Sequence, residues 1–399
     1  MSAREAYHAV ILGAGAAGMM CAAHAARGGP TLILDHARAP GEKIRISGGG
    51  RCNFTNLYAS PENFLSANPH FARSALKRYS QHDFIALVER YGVAYHEKTL
   101  GQLFCDVSAK AIIDLLLAEM AAAGAVLQLG TGVDAIARTA DGFDLRLSDG
   151  RDIQARSFVI ACGGRSIPKM GATDYGYRLA RQFGLALVET RPALVPLVFG
   201  EDVLPRLKAL AGIAVDGRAS AGGMTFDEGL LFTHRGLSGP SILQISSYWR
   251  EGAPLTIALA PHEDLVERLK AERRSSPRRQ VATALGAVLP NRLAADMAAE
   301  AGMAGAVLAD ISDKRLQALA AAINAWVLTP AGTEGYRTAE VTLGGIATDG
   351  LDQRTMAATA VPGLYCIGEA VDVTGWLGGY NFQWAWSSGH AAGTAIGGG

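Results

Sequence analysis

The sequence predicts an α/β protein in which a parallel sheet covered by helices is interrupted by an inserted domain. Three observations predict this. Residues 1–35 read as strand, glycine turn, helix and strand; the last sixty or so residues return to that pattern; and the middle of the chain carries short strands and then helices. Alternating strands and helices are typical of a parallel sheet, whereas runs of one type indicate a separate unit. The predicted bounds are 1–190 and 336–399 for the sheet domain and 191–335 for the insert, β-rich over 191–260 and helical over 261–325.

The chain begins with a buried strand and a glycine-rich turn. Residues 9–12 form a continuous apolar run, as expected for a parallel strand covered on both faces. Gly13 permits a sharp turn, Gly15 lets backbone N–H groups approach a pyrophosphate at a helix N-terminus, and Gly18 lets that helix lie close to the strand. The predicted contacts to this pyrophosphate are Gly13, Gly15, Ala16, Ala17 and Gly18.

A second buried strand, residues 31–34, ends in Asp35. A carboxylate at this point can accept hydrogen bonds from both hydroxyl groups of a ribose. The pattern as a whole predicts that an adenosine diphosphate group binds here, and by itself it does not separate FAD from NAD.

Composition describes a well-packed globular protein with no electrostatic preference. Of 399 residues, 49% are hydrophobic and 19% charged, and 37 basic side chains balance 37 acidic ones. A neutral chain creates no global field that attracts nucleic acid or an anionic membrane, so we expect neither partner and a small-molecule substrate instead. The apolar start has interior glycines and no cleavage pattern, which predicts a cytoplasmic protein. Nothing in the composition indicates an oligomeric state.

The five cysteines predict neither a metal site nor a dithiol redox centre. They include no Cys-x-x-Cys pair and no cluster with histidine at zinc spacing. Cys21, Cys162 and Cys366 lie in apolar patterns, which is typical of buried, unreactive thiols.

Residues 41–56, GEKIRISGGGRCNFTN, follow the ribose-binding acid. Three consecutive glycines leave the backbone free to pass flat against a ligand, and the polar side chains on both sides offer hydrogen-bond donors. This composition predicts a loop wrapped around a planar cofactor that is rich in acceptors. The candidate contacts are Lys43, Ser47, Gly48, Gly49, Gly50, Arg51, Cys52 and Asn53.

Together with GAGAAG at residues 13–18, this run resembles the second signature of the BaiN/RdsA-type NAD(P)/FAD-dependent oxidoreductases, a family of bacterial flavoproteins. Further matching runs are LFCDVSAKA, ACGGRSIPKMGATDYGY and LFTHRGLSGP, and the stretch from Thr342 onward. The resemblance implies an FAD-dependent oxidoreductase with NAD(P)H as electron donor. It also implies reduction of an activated, enone-like C=C bond in a small organic substrate.

A third buried strand, residues 157–162, ends in Gly163 and Gly164. In flavoproteins with two dinucleotide-type folds, a strand that ends in small residues at this point lies against FAD, so the resemblance implies cofactor contact. From the residues alone, a tight strand-to-loop turn is the alternative.

The last buried strand, residues 363–368, is followed by two acids, and two glycines then precede an apolar helix over 381–395. The N-terminus of that helix favours an anion. This order is typical of glutathione-reductase-like flavoproteins, in which the acid contacts ribitol or phosphate and the helix faces the flavin pyrimidine. It predicts a Rossmann-like FAD-binding domain with ββα central layers, although a helix that serves packing only is the alternative. The predicted contacts are Gly368, Glu369, Asp372, Gly378, Gly379, Tyr380 and Asn381.

Reduction of an enone requires a proton donor at the second carbon, and the candidates are Tyr380, His234 and Cys52. By the resemblance, His234 lines the substrate side, although a lone histidine is more often structural. Cys52 is flanked by cations, which can stabilise its thiolate for a part in flavin chemistry. The alternative is a polar thiol that lies near the site and takes no part in the reaction. Since no second Gly-x-Gly-x-x-Gly is present, we expect NAD(P)H to bind transiently.

A second function class is an FAD-dependent RNA-modifying or flavin-sensing protein without free NAD(P)H-driven turnover, because tRNA-modifying flavoenzymes share this architecture. A basic cluster lies in the insert, but it lacks interleaved aromatic residues and follows a run of acids, which is more typical of a solvated turn. The cluster consists of Arg273, Arg274, Arg278 and Arg279.

Overall fold

The structure, a computed structural model, describes residues 5–398. The chain divides into two compact units: one runs up to Arg191 and resumes at Val341, and the other is Pro192–Glu340. The strands are β1 (Glu5–Leu12), β2 (Thr31–Asp35), β3 (Asn53–Asn56), β4 (Phe64–Leu65), β5 (Tyr95–Glu97), β6 (Gln102–Cys105), β7 (Val126–Leu129), β8 (Val133–Arg138), β9 (Phe143–Leu147), β10 (Asp152–Ile160), β11 (Leu187–Ala193), β12 (Leu197–Val198), β13 (Ala214–Ala221), β14 (Met224–Phe232), β15 (Gly236–Ser238), β16 (Leu255–Ala258), β17 (Trp326–Leu328), β18 (Gly332–Thr333), β19 (Val341–Ile346), β20 (Leu364–Cys366) and β21 (Thr374–Gly375). The α-helices are α1 (Ala16–Ala25), α2 (Glu42–Ile46), α3 (Ala72–Arg78), α4 (Gln81–Arg90), α5 (Lys110–Ala123), α6 (Tyr175–Gln182), α7 (Leu204–Ala209), α8 (Pro240–Ser246), α9 (Leu265–Ser275), α10 (Val281–Leu285), α11 (Asn291–Glu300), α12 (Asp313–Asn324) and α13 (Tyr380–Ile396).

A seven-stranded sheet forms the core of the first unit. Its order is β7-β2-β1-β10-β9-β8, with β20 also paired to β10. Strands β7, β2, β1, β10 and β20 are parallel, and β9 and β8 are antiparallel. The predicted α/β class with a Rossmann-like parallel sheet is therefore confirmed. Because the carboxyl ends of parallel strands share one edge, the segments that follow β1, β2, β10 and β20 meet there.

Strand β10 differs from the prediction. The sequence predicts a buried strand that begins at residue 157, but Asp152–Ile160 is one continuous strand. Strand β1 pairs with β10 in parallel register along nearly its whole length. At the other edge, β9 pairs antiparallel with the first half and β20 pairs parallel with the second half. The strand is continuous because β1 supports both halves, and β1 is distant from β10 in sequence.

The segment 41–56 also differs from the expected loop. It contains the short helix α2, a 3₁₀ turn over Ser47–Gly50 and the strand β3. Since β3 pairs with β6, the side chains of Thr55 and Asn56 are buried instead of facing a ligand freely. Only the glycine turn retains the open backbone that we predicted.

Helix α13 packs closely on α1 in the first unit. A Cβ at Gly389 would lie 2.5 Å from the carbonyl oxygen of Ala17, and one at Gly393 would lie 2.5 Å from that of Cys21. Glycine at these two positions lets the helix backbones approach each other, and most of α13 is buried. This contact places α13 against the first helix after the N-terminal glycine turn.

The second unit contains a seven-stranded antiparallel sheet in the order β17-β16-β13-β14-β15-β12-β18. Helices α9 to α12 follow β16 in the chain and bury their apolar faces. The guanidinium groups of Arg273 and Arg279, which belong to the basic cluster noted above, pair with Asp313 and Glu272. In residues 5–398, no helix combines the length and apolarity that crossing a membrane requires.

Candidate FAD site

The turn between β1 and α1 leaves space where a phosphate is predicted. Gly13 has φ of +119°, and a Cβ on Gly18 would lie 1.8 Å from the Gly13 carbonyl oxygen, so conformation and packing require these two glycines. Gly15 has an ordinary φ of −85°, and a Cβ there would meet no other atom within 4 Å. Neither packing nor conformation requires glycine at this position. The open space at a helix N-terminus therefore fits the diphosphate of FAD.

Asp35 is held in place by backbone donors. Its Oδ2 accepts the N–H of Ala14 at 2.7 Å and its Oδ1 accepts the N–H of Ala37 at 2.8 Å. The side chain is 16% exposed, and each carboxylate oxygen keeps an acceptor site for a further donor. The residue that we predicted to bind ribose is thus fixed beside the glycine turn and accessible.

The three consecutive glycines form a left-handed turn. Gly48, Gly49 and Gly50 have φ of 56°, 66° and 86°, conformations that other residues adopt at a cost. A Cβ on Gly48 would press on the ring of Phe104 at 2.7 Å, whereas one on Gly49 would meet nothing within 4 Å. The open side of this turn can therefore receive a ligand. The neighbouring Ser47 donates its hydroxyl hydrogen to the Ile44 carbonyl at 2.8 Å.

A compact polar cluster joins the glycine-rich segment to the C-terminal part of the unit. The ammonium of Lys43 lies 2.7 Å from Glu369 Oε2 and donates to Ser166 Oγ at 2.7 Å. The Ser166 hydroxyl donates to Glu369 Oε1 at 3.0 Å, and the backbone N–H of Thr342 donates to the same oxygen at 2.9 Å. Three segments that are distant in sequence from Glu369 therefore contact its carboxylate, whose charge Lys43 balances.

The glycine pair after β10 makes room for this cluster. A Cβ on Gly164 would lie 2.5 Å from Thr342 Oγ1 and 2.6 Å from Glu369 Oε1. Gly163 has φ of 72°, and its nearest neighbour at the Cβ position is Glu369 Oε2 at 4.0 Å. Gly164 is thus required by packing against the cluster, and Gly163 keeps the space beside it open.

Of the two acids after β20, Glu369 is the more accessible. Its side chain is 18% exposed, whereas Asp372 is 2% exposed and accepts the N–H of Ala67 at 2.8 Å. Burial raises the pKa of the Asp372 carboxyl above its usual range. Glu369 is therefore the better candidate for contact with the polyol chain.

Two glycines with positive φ directly precede helix α13. Gly378 and Gly379 have φ of 112° and 96°, and a Cβ on Gly379 would lie 2.4 Å from the Thr55 carbonyl oxygen. The Asn381 side chain is engaged with the preceding loop, because its Oδ1 accepts the Gly375 N–H at 2.8 Å. The backbone at the start of α13, more than the Asn381 amide, is thus available to a ligand.

Sequence reasoning missed several residues that fix this site. Besides Ser166 and Thr342, two side chains of α13 hold Gly368: Ser388 Oγ accepts its N–H at 3.0 Å, and Trp384 Nε1 donates to its carbonyl at 3.0 Å. A single serine, threonine or tryptophan in a long apolar or glycine-rich run carries no local signal. These roles arise only from tertiary contacts.

The three candidate proton donors occupy different environments. Tyr380 is 7% exposed at the first position of α13, and its ring packs edge-on against Phe64. His234 is exposed in the turn between β14 and β15, in the second unit. Cys52 is fully buried, and burial raises the pKa of its thiol. A neutral, buried thiol favours a packing role for Cys52 over proton transfer.

We expect the Cys52→Ser variant to keep turnover and flavin reduction within about twofold of the wild type, because the thiol is inaccessible and protonated. Rates of flavin bleaching and substrate turnover would be measured side by side. A loss of turnover with normal FAD content would instead assign Cys52 to the chemistry.

No group of three or more histidine, cysteine, aspartate or glutamate side chains within residues 5–398 is arranged to hold a metal ion. The predicted contacts in the first unit lie around the start of α1, the start of α13 and the carboxyl ends of the sheet strands. The residues at these places fit a dinucleotide with a planar ring.

The chain is similar to several known proteins. The family described as HI0933-like protein Rossmann domain matches residues 7–395. A ribosomal RNA dihydrouridine synthase of Escherichia coli K12 is 50% identical over 96% of this chain and 96% of that protein. A protein of the same name from Haemophilus influenzae is 44% identical over 97% of this chain and 98% of its own length. A 3-dehydro-bile acid delta(4,6)-reductase of Clostridium scindens is 30% identical over 96% of this chain and 98% of its own length.

Among solved structures, a 3-ketosteroid-delta4-(5alpha)-dehydrogenase from Rhodococcus jostii RHA1 aligns with a TM-score of 0.53 and 14% identity. The alignment covers 98% of this chain and 97% of that chain. At this level of identity the likeness shows the fold alone.

The expectation that nucleic acid is not a partner is wrong. It is overturned by the two relatives named ribosomal RNA dihydrouridine synthase, which match this chain over nearly its full length. The expectation rested on the balance of 37 basic and 37 acidic side chains. Net charge is a global quantity, whereas contact with RNA depends on a few side chains around the reacting base.

The predicted resemblance to the BaiN/RdsA-type flavoproteins is confirmed by the family match and by these relatives. The predictions of FAD as cofactor and of an oxidoreductase are confirmed with the family. The chain belongs to the HI0933-like Rossmann-domain family of FAD-dependent oxidoreductases.

Proposed function

We propose that this protein reduces uridine to dihydrouridine in ribosomal RNA, with FAD as cofactor and NAD(P)H as electron donor. The observation that carries the proposal is 50% identity, over 96% of both chains, to a protein named for this activity. Because ribosomal RNA is the proposed substrate, we also propose the cytoplasmic location that the sequence predicts.

Reduction of uridine in RNA belongs to both function classes that the sequence left open, the reduction of an activated C=C bond and the modification of RNA. In uracil, the C5=C6 bond is conjugated with the C4 carbonyl, so it is an activated, enone-like double bond. Its reduction adds a hydride to one carbon and a proton to the other. The predicted reaction type is thus kept, while the predicted small organic substrate is replaced by a base in RNA.

Within the first unit, the residues proposed to hold FAD follow from the geometry. The N-terminus of α1 at Gly15 would receive the diphosphate, Asp35 the ribose, and Glu369 the polyol chain. The turn at Gly49 and the start of α13 would face the ring system. When bound, FAD supplies the centre that accepts hydride from NAD(P)H and passes it to the substrate.

A proton must reach the second carbon of the reduced bond. Of the three predicted donors we retain Tyr380, because it stands at the glycine-rich start of α13, where the ring system is proposed to lie. Its hydroxyl group is the only part of the side chain that can give up a proton. His234 stays a prediction from the sequence.

Anaerobic stopped-flow absorbance tests the proposal in two steps. The yellow protein is mixed with NADH or NADPH, and bleaching of the flavin band is followed; the reduced protein is then mixed with deproteinised ribosomal RNA that lacks dihydrouridine. We expect bleaching by at least one donor and recovery of the band with RNA. Recovery with a small enone but not with RNA would replace the proposal with the small-molecule function. If neither NADH nor NADPH bleaches the flavin band, the part of the proposal that names NAD(P)H as electron donor fails.

A further inference from the structure

One exposed surface of the first unit is unusual for its apolar content. It consists of Tyr58, in the turn after β3, and residues 98–101, which connect β5 to β6; we call it the Tyr58 tip. Tyr58 is 65% exposed and Leu100 is 57% exposed. The tyrosine ring lies over the backbone of Gly101, because a Cβ there would come within 2.7 Å of Tyr58 Cδ2. The Tyr58 ring is thus exposed to solvent and supported by the backbone of Gly101.

The tip is tied to the start of α13 by one buried amide. Asn56, 1% exposed, donates from Nδ2 to the carbonyl oxygens of Leu100 at 3.0 Å and Gly378 at 2.9 Å. Its Oδ1 accepts the N–H of Tyr58 at 2.9 Å. A single side chain therefore fixes the tip relative to the glycine turn that precedes α13.

The tip carries one cation, Lys98, that can contact a phosphate. The ammonium of Lys98 lies 5.4 Å from the centroid of the Phe104 ring, and that ring also packs on the Gly48 backbone. The neighbouring acids are engaged: Glu97 accepts a backbone N–H within the tip at 3.0 Å, and Asp106 lies 2.6 Å from a ring nitrogen of His96. Through the Phe104 ring, Lys98 of the tip is thus linked to the glycine turn.

We propose that the Tyr58 tip binds the unpaired RNA strand next to the target uridine, with a base stacked on Tyr58 and a phosphate held by Lys98. The inference rests on the proposed function. An enzyme that acts on a base must take it out of the helical stack, and unpaired nucleotides are commonly held by stacking on aromatic side chains. The link through Asn56 sets the distance between this base and the start of α13.

The test uses the holoenzyme of the Tyr58→Ala and Lys98→Glu variants. Affinity for a fluorescent single-stranded oligouridylate is measured by anisotropy over a range of salt concentrations, and FAD content reports that each variant is folded. We expect Tyr58→Ala to weaken binding about tenfold at every salt concentration, as for loss of one stacked base. Lys98→Glu is expected to weaken binding. It should also lower, by about one, the magnitude of the slope of log affinity against log salt concentration.

Two exposed positions on other helices of the unit provide matched controls. Tyr91→Ala removes an exposed tyrosine at the end of α4 whose hydroxyl donates to Glu119, and Lys77→Glu reverses an exposed charge on α3. Both are expected to bind the oligonucleotide as the wild type does. If the tip variants also bind like the wild type, or lose no more affinity than the controls, the inference is overturned.

The failure of the inference and that of the proposed function are distinguishable. Wild-type protein that forms dihydrouridine, together with tip variants of unchanged RNA affinity, overturns the inference alone. Wild-type protein that binds the oligonucleotide through the tip but reduces no uridine overturns the proposed function and leaves the tip as an RNA-binding surface.

Discussion

Replacing Gly15 with glutamate is expected to give a folded protein that no longer retains FAD. The site has an ordinary φ of −85° and no atom within 4 Å of the Cβ position, so the side chain fits the unliganded protein. In the complex it would occupy the space for the diphosphate and place one anion against another. We expect FAD affinity to fall by at least about 1000-fold, or about 4 kcal/mol, and turnover to be lost with it.

Gly15→Ala is the matched control, since it adds bulk without charge. It should fold equally well and lose less affinity than the glutamate variant. Equilibrium titration of FAD-free protein by flavin fluorescence measures both variants, and circular dichroism checks the fold. Wild-type affinity in Gly15→Glu would show that the diphosphate does not lie at the start of α1.

Replacing Lys43 with methionine should cost about 2 kcal/mol of unfolding free energy. The variant leaves the Glu369 carboxylate, 18% exposed, without the ammonium that now lies 2.7 Å away. Loss of one partner from a fully buried pair costs more, and this pair is partly screened because Lys43 is 32% exposed. FAD affinity should fall as well, because Lys43 no longer holds the side chains of Ser166 and Glu369 at the proposed polyol site.

The double variant Lys43→Met, Glu369→Gln removes both charges and keeps an acceptor for the Thr342 N–H. It should recover more than half of the lost stability in denaturant unfolding of the FAD-free protein. If the single and double variants lose the same amount, the Lys43 ammonium does not stabilise the cluster through Glu369.

The N-terminal part of the site was predictable because its information is local. Gly13, Gly15 and Gly18 act within one turn, and Asp35 ends the next strand, so spacing alone indicates their roles. The three consecutive glycines at residues 48–50 likewise predict an unusually free backbone, although the left-handed turn itself is a finding of the structure. These features depend on backbone conformation that a short stretch of sequence determines.

Other parts of the site depend on contacts between distant segments. The burial of Thr55 and Asn56 follows from pairing of β3 with β6, and the role of Ser166 follows from its position between Lys43 and Glu369. No pattern in the sequence brings such residues together. The sequence keeps an RNA-modifying function open as the alternative. The expectation that no nucleic acid binds is wrong for a related reason, because a net charge of zero says nothing about which side chains lie at a binding site.

The measurement that tests the central claim most directly is mass spectrometry of nucleosides from ribosomal RNA treated with the purified protein and NAD(P)H. The substrate RNA comes from cells that lack this activity, and the Gly15→Glu protein serves as the control. We predict that a uridine gains two hydrogen atoms with the wild type and not with the control. Ribosomal RNA that stays unmodified, while the same protein is reduced by NAD(P)H and reoxidised by a small enone, would contradict the account.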